Sequence, residues 1–404
     1  MSESESRYLL DSSIETPCFV LDLADLDSGI QSLQEALSES WSNSVIGYSL
    51  KTNGLPWLLE YFRDQGFYAE VVSADEYELA KETGYDTSKI IYNGSFKSRE
   101  TFAEALQNGC YVNVDSRQEI EWLADSEPSE GPQYQVGIRI NFDLEASCPG
   151  QTVMGTEGSR FGFCYENGEL GQAIREIESL SHVKLVGIHT HFSSKTRSLD
   201  IYRSIAQMCC QVKEEYNLDL SFVDIGGGFY GGLPNKPTYR EYIEVIAEVL
   251  ERSFDRTRTT LIVEPGTSLV SAPFSYFTRV IDVKPTTRNR FVITDGSRMD
   301  IDPLMRKTSY FHQVVSSSEQ AAETACNQVV CGFTCLEDDR LFEMTDKAPL
   351  RVGDTVVYRN VGAYTMSLAP LFINYFPAVY LAEVRKYTTI RAKIRASDYY
   401  RMGR

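Results

Sequence analysis

The chain has 404 residues, 42% of them hydrophobic and 24% charged, with a formal net charge of −18. These proportions describe a globular protein long enough for two domains, and the acidic balance argues against nucleic acid or an anionic membrane as a main partner. No apolar run approaches the length of a spanning helix, Met1–Arg7 lacks the apolar core of a secretory signal and reads as a short tail, and nine cysteines without C-x-x-C spacing suggest neither zinc nor a disulfide framework but a reducing cytoplasm.

From residue 45 onward, short apolar segments alternate with helical patterns. The segments are 45–50, 68–73, 90–94, 111–116, 135–140, 183–192, 220–228 and 260–266. Helix-like stretches such as Ala74–Thr83 and Leu199–Tyr216 separate them. Strands alternating with helices predict a parallel sheet, and eight such units predict closure into a (β/α)₈ barrel rather than an open doubly wound sheet. After residue 275 the pattern turns β-rich, with segments at 274–282, 291–294, 327–330 and 354–358 and little helix signal. This predicts a second, mainly antiparallel β domain, which the early strand Thr16–Asp22 joins. The expected organisation is therefore a tail and strand over 1–25, a barrel over 26–272 and a β domain over 273–404. Residues 385–404 hold seven Lys/Arg and one Asp, and read as a solvated basic extension.

Chemistry in such a barrel belongs at the C-terminal strand ends, and the unusual residues of this chain gather there. Lys51 closes the apolar run Val45–Leu50. Its ammonium is poorly placed for a solvated role, and a lysine amine can form a Schiff base with an aldehyde cofactor. His189 and His191 end the sixth strand, two apart and so on one face; each is either a core histidine or a flat surface for an aromatic ring. Gly226-Gly227-Gly228 ends the seventh, where bare amides can approach a phosphate or simply turn the chain. Glu264 precedes Pro265-Gly266 at the eighth, where a carboxylate can cap, form an ion pair or meet a protonated ring nitrogen. In the β-rich part, Cys335 lies in a polar turn and could donate a proton. Gly362-Ala-Tyr364 combines a tight turn with an aromatic hydroxyl.

In combination the motifs resemble the barrel-type (fold type III) pyridoxal-phosphate decarboxylases of the diaminopimelate and ornithine decarboxylase group, with an alanine racemase-like architecture. The resemblance spans about residues 14–380 and rests on Tyr48-Ser-Leu-Lys51-Thr-Asn, Glu70-Val-Val-Ser73, Asn113-Val-Asp115-Ser116, Arg139-Ile-Asn141, Arg160-Phe-Gly162, His189-Thr-His191-Phe-Ser-Ser194, Asp224-Ile-Gly-Gly-Gly228, Glu264-Pro-Gly266, Asp295-Gly296, Cys335 with Asp339, and Gly362-Ala-Tyr364. It implies that Lys51 carries pyridoxal 5'-phosphate as a Schiff base, that His191 stacks on the ring and that Glu264 pairs with its nitrogen. Ser194, Gly226, Gly227, Gly228, Gly266 and Tyr364 would hold the phosphate. Cys335 would serve the active site of the partner in a head-to-tail homodimer.

The departures concern the substrate. The diaminopimelate enzymes usually carry an arginine where Asp302 precedes Pro303, and an acidic residue where Leu336 follows Cys335. Thr267 stands for their arginine after Glu-Pro-Gly, and Ser193 for their glycine before Ser194. The resemblance thus implies α-decarboxylation of a modified, conjugated or carrier-linked amino acid of secondary metabolism, with Arg160, Arg298, Asp302 and Leu336 near the substrate. The alternatives are a racemase on the same fold or diaminopimelate decarboxylase itself.

Overall fold

The computed structural model describes residues 14–126, 132–316, 325–383 and 386–403; the tail expected over Met1–Arg7 lies outside them. The chain forms two compact units, one from Gly29 to Leu269 and one combining the residues up to Ser28 with those from Val270 onward.

Strand β1 (Cys18–Asp22) belongs to the second of these units. The first is built on β2 (Ser44–Ser49), β3 (Tyr68–Val71), β4 (Ile90–Tyr92), β5 (Tyr111–Val114), β6 (Tyr134–Asn141), the two-residue β7 (Phe163–Cys164), β8 (Val183–His189), β9 (Phe222–Asp224) and β10 (Thr260–Val263). Apart from β7, which only flanks β6, these strands pair in parallel around a ring, and β10 closes on β2 with Leu261 opposite Ser44. The expected closed eight-stranded barrel is what forms. Its strands are buried on both faces, which explains their near-continuous apolar sequences. Inside, Ile91, Val186, Phe222 and Ile262 form one packed layer. The Phe222 ring fills the space that side chains at Gly137 and Gly187 would need: a Cβ on Gly187 would lie 2.0 Å from it.

Three of the longer intervening helices start on side-chain caps. Ser73 accepts from Glu76 N–H, Ser98 from Thr101 N–H, and Thr238 forms a capping box with Glu241. The structure shortens several of the expected strands. The 183–192 segment leaves the ladder at His189, and the 220–228 segment ends at Asp224. Just beyond the latter, Gly226 takes φ of +69°, a conformation that ends a ladder.

The second unit carries β11 (Phe274–Pro285), β12 (Arg290–Thr294), β13 (His312–Val315), β14 (Cys326–Cys331), β15 (Arg340–Lys347), β16 (Thr355–Arg359), β17 (Ala378–Glu383) and β18 (Lys386–Arg391). Most pairings are antiparallel; β1 with β17 and β12 with β14 are parallel. Strand β1 lies between β11 and β17, and its Cys18 and Val20 pack with Phe277 and Val357. The basic end corrects the sequence reading. Instead of a solvated extension, Lys386–Arg391 pairs with β17 and Ala396–Met402 is a helix, while Lys393 lies 3.1 Å from Glu15. The β-branched and aromatic residues Tyr387, Thr388, Thr389 and Ile390 suit an edge strand.

Candidate active site

Strand β2 runs into a single 3₁₀ turn, Leu50–Thr52, in which Leu50 and Thr52 are buried and Lys51 is partly exposed. Lys51 Nζ lies 2.8 Å from Glu70 Oε2 on β3. The same oxygen accepts the Ser49 hydroxyl at 2.6 Å. Glu70 is only 1% exposed, so it is a buried carboxylate satisfied by neighbours rather than by water. Its other oxygen accepts from Asn93 Nδ2 at 3.1 Å, and the same amide nitrogen donates a short hydrogen bond to Glu264.

Glu264 stands just past the end of β10. One of its oxygens is 3.6 Å from His189 Nε2. Burial by itself would push the Glu264 carboxyl up; the pull of His189 and Lys51 outweighs burial and holds it below the usual range. Asp224 behaves in the opposite way. Burial first, and then the Glu264 charge, push its carboxyl well up. His189, Asp224 and Glu264 bring ligand-type atoms within 4.8 Å of one another. His189 Nε2 and Asp224 Oδ2 have no hydrogen-bond partner among the described residues. Buried polar atoms left in this way fit a site completed by another polar group.

The glycine run lies against Glu264 on the neighbouring strand end. Gly227 N–H donates to His191 Nδ1 at 3.1 Å, which leaves the ring proton on Nε2. Burial, then the nearby Lys51 charge, lower His191 to about 3, so the imidazole is neutral. A Cβ on Gly226 would sit 2.5 Å from His191 Nδ1, and one on Gly227 would sit 1.9 Å from the Glu264 carbonyl oxygen. The run is glycine because the histidine ring and the next strand lie against it. Gly226 N–H donates to Asp224 at 2.8 Å and Gly227 N–H to His191, so both amides are already committed within the barrel. The two histidines, expected on one strand face, also part company: His189 ends β8 and meets Glu264, whereas His191 lies in the turn beyond.

Ser194 sits in that turn, donating to Gln151 O at 3.1 Å and accepting the Thr196 and Arg197 amides. Gly266 packs on the Lys51 turn, where a Cβ would lie 2.2 Å from Thr52 Oγ1. Arg139, on β6, is held by Asp115 at 2.9 Å and donates to His191 O. Phe161 lies beside both the Arg139 and the Arg160 guanidinium groups, each 4.8 Å from its ring. Arg160 itself is exposed.

The remaining expected residues lie in the β unit. Cys335 is an exposed free thiol on the turn 332–339. Asp339 organises that turn, accepting Ser297 Oγ, Arg298 N and Thr334 Oγ1. Leu336 N–H donates to Thr334 Oγ1 at 3.4 Å. Tyr364 is 40% exposed, at φ of +54°. Asp302 is corrected: it faces inward, 4% exposed, and accepts from Arg298, Tyr310 and the amides of Arg306 and Lys307. Those donors make it an anchor for Arg298 and its loop rather than a substrate contact.

Sequence reasoning quoted Glu70, Asn113, Arg139 and Asp224 only as motif residues and left Asn93 out. Their shared signal was present: each is a polar residue in the last three positions of an otherwise apolar barrel strand or just past it.

The architecture is that of a pyridoxal-phosphate barrel with a companion β domain. Residues 23–271 match the family described as "Pyridoxal-dependent decarboxylase, pyridoxal binding domain". The probable diaminopimelate decarboxylase of rice (Oryza sativa subsp. japonica) is 30% identical over 81% of this chain and 67% of its own length. The crystal structure of Helicobacter pylori diaminopimelate decarboxylase with L-lysine superposes with a TM-score of 0.81, at 25% identity and 97% coverage of both chains. A Paramecium bursaria Chlorella virus arginine decarboxylase shares the fold alone, at a TM-score of 0.75 and 20% identity over 90% of this chain and 95% of that one. This chain belongs to the pyridoxal-dependent decarboxylase family. It is a pyridoxal-phosphate-dependent amino-acid decarboxylase.

Proposed function

We propose that Lys51 carries the cofactor and that the chain removes the α-carboxylate of an amino acid whose distal end differs from that of diaminopimelate. The carrying observation is the unbroken polar line from Lys51 through Glu70 and Asn93 to Glu264 across the barrel mouth. Bound pyridoxal phosphate supplies an electron sink conjugated to the substrate Cα. Lys51 would hold the cofactor through its amine, and Glu70, 2.8 Å from that amine, would take up and return a proton at the lysine nitrogen. Ionised Glu264 keeps a proton on the ring nitrogen, where positive charge strengthens the sink. Neutral His191 offers a flat, uncharged face. Ser194, Gly228, Gly266 and Tyr364 hold the phosphate; Gly226 and Gly227 shape the wall instead.

Cys335, as an exposed thiol, fits the proton donor to Cα. In a head-to-tail homodimer it is Cys335 of the partner subunit that serves each site. Arg160, Arg298 and Leu336 are the residues we assign to the substrate's distal end. The inward-facing Asp302 supports a substrate other than diaminopimelate, because the position that holds an arginine in the diaminopimelate enzymes presents no cation here. A modified or conjugated amino acid in the cytoplasm fits this pattern.

The test is CO₂ release by the purified holoenzyme from a panel of α-amino acids, including diaminopimelate and acylated or otherwise conjugated forms. Release confined to conjugated or uncharged-ended substrates supports the reading. Fastest turnover of diaminopimelate overturns it, and Cα deuterium exchange without CO₂ loss would point to a racemase.

A further inference from the structure

Asn93 immediately follows β4 and is 2% exposed. Its side-chain amide meets two carboxylates at once. Nδ2 lies 3.1 Å from Glu70 Oε1 and also donates to Glu264 Oε1. An acceptor oxygen in that place would face two carboxylate oxygens, so the amide orientation is determined by its surroundings. The third contact agrees. Asn93 Oδ1 accepts from Asn113 Nδ2 at 2.8 Å, and Asn113 is 1% exposed on the next strand.

The loop bearing Asn93 is itself fastened. Lys97 is fully buried and gives its three protons to Gly94 O, Asn113 O and Glu119, at 3.0 to 3.1 Å. Gly94 takes φ of +99°, and a Cβ there would lie 2.3 Å from Val72 O. Asn93 therefore has little freedom to rotate or withdraw.

We propose that Asn93 is a positioning residue that joins the carboxylate serving Lys51 to the carboxylate serving the ring nitrogen, and that Asn113 sets its direction. Each hydrogen on Nδ2 stabilises one ionised carboxylate in a site from which water is largely excluded, where hydrogen bonds to charge are strongest. The amide also sets the separation of the two carboxylates and keeps both from drawing on a single proton. The inference rests on the reading that Lys51 and Glu264 are the cofactor residues.

The test uses the full chain purified as holoenzyme, with Asn93→Ala, Asn93→Asp, Asn113→Asp and Lys51→Ala compared with the wild type. Three quantities are read: the pyridoxal-phosphate dissociation constant, the pH titration of the visible cofactor band, and kcat against KM. Asn93→Ala should weaken cofactor binding and lower kcat by about tenfold or more each, with KM within about threefold, because a hydrogen bond to a charged group is lost at each end. Asn93→Asp should move the midpoint of the band titration upward, since an added carboxylate raises the proton affinity of its neighbours. Asn113→Asp keeps the shape of the site but withdraws the donor that orients Asn93, and should shift the midpoint in the same direction. If Asn93→Ala fails to fold, as judged by circular dichroism, the isosteric Asn113→Asp decides the matter alone. Folded variants that bind cofactor and titrate as the wild type does would overturn the role of Asn93. A Lys51→Ala protein that keeps the lysine-bound cofactor band would instead overturn the underlying site reading.

Discussion

Glu70 Oε2 lies 2.8 Å from Lys51 Nζ and 2.6 Å from Ser49 Oγ, so one buried oxygen serves both the lysine and the residue that ends its strand. On the proposed reading, a carboxylate in this place is positioned to exchange a proton with the Lys51 nitrogen when substrate displaces it from the cofactor. Replacing Glu70 with Gln keeps the shape and removes the charge. The expected result is a loss of about a hundredfold in CO₂ release, typical of a missing acid–base partner, with cofactor still bound. Rapid-quench release and the visible spectrum, read on the same sample, check it.

His191 has a pH signature. Burial, then Lys51, lower its pKa to about 3 in the folded protein, against an ordinary value of 6.5. The unfolded chain therefore binds a proton at this ring between those limits while the folded chain does not. Its contribution to stability is fully present above about 6.5 and is lost as the pH falls toward 3. Thermal melting of the wild type should lose midpoint through that window. A folded His191→Gln protein should show a shallower dependence there, and a slope as steep as that of the wild type would refute the assignment.

Gly226 stands between Asp224 and His191, with φ of +69°. Alanine there meets both a strained backbone and the imidazole 2.5 Å from its Cβ. We expect Gly226→Ala to cost about 1–3 kcal/mol in stability and to weaken cofactor binding by displacing His191. Calorimetry and equilibrium dialysis separate the two effects. Alanine at Gly66, where φ is +83° but no atom crowds the site, should leave cofactor binding unchanged.

The buried pair Lys97–Glu119, with side chains 0% and 1% exposed, holds the loop that carries Asn93. Lys97→Met leaves Glu119 buried without its cation and should cost about 3–5 kcal/mol. Removing both charges, with Lys97→Met and Glu119→Leu together, should recover much of that loss. Urea unfolding of the single and double variants measures it. Recovered stability without recovered activity would mean that the ion pair places Asn93 rather than merely stabilising the barrel.

Much of the fold could be read from the chain alone, and the reason is local. Eight apolar segments spaced by helical patterns have only a closed or doubly wound parallel sheet as an economical solution, and each strand end announces itself by a polar residue or a glycine. Lys51, His191 and Glu264 were conspicuous for that reason. What the sequence could not determine were relations between side chains far apart along it. Asn93 and Glu264 are separated by 171 positions, and only the ring of strands brings one amide to two carboxylates. The same holds for the division of labour within Gly226–Gly228, where two amides turn to Asp224 and His191, and for Asp302, whose inward direction depends on the loop that returns Arg306, Lys307 and Tyr310 to it. Periodicity and turn chemistry report what each residue prefers for itself; proton sharing, hydrogen-bond direction and burial of charge belong to groups that meet only after the barrel closes.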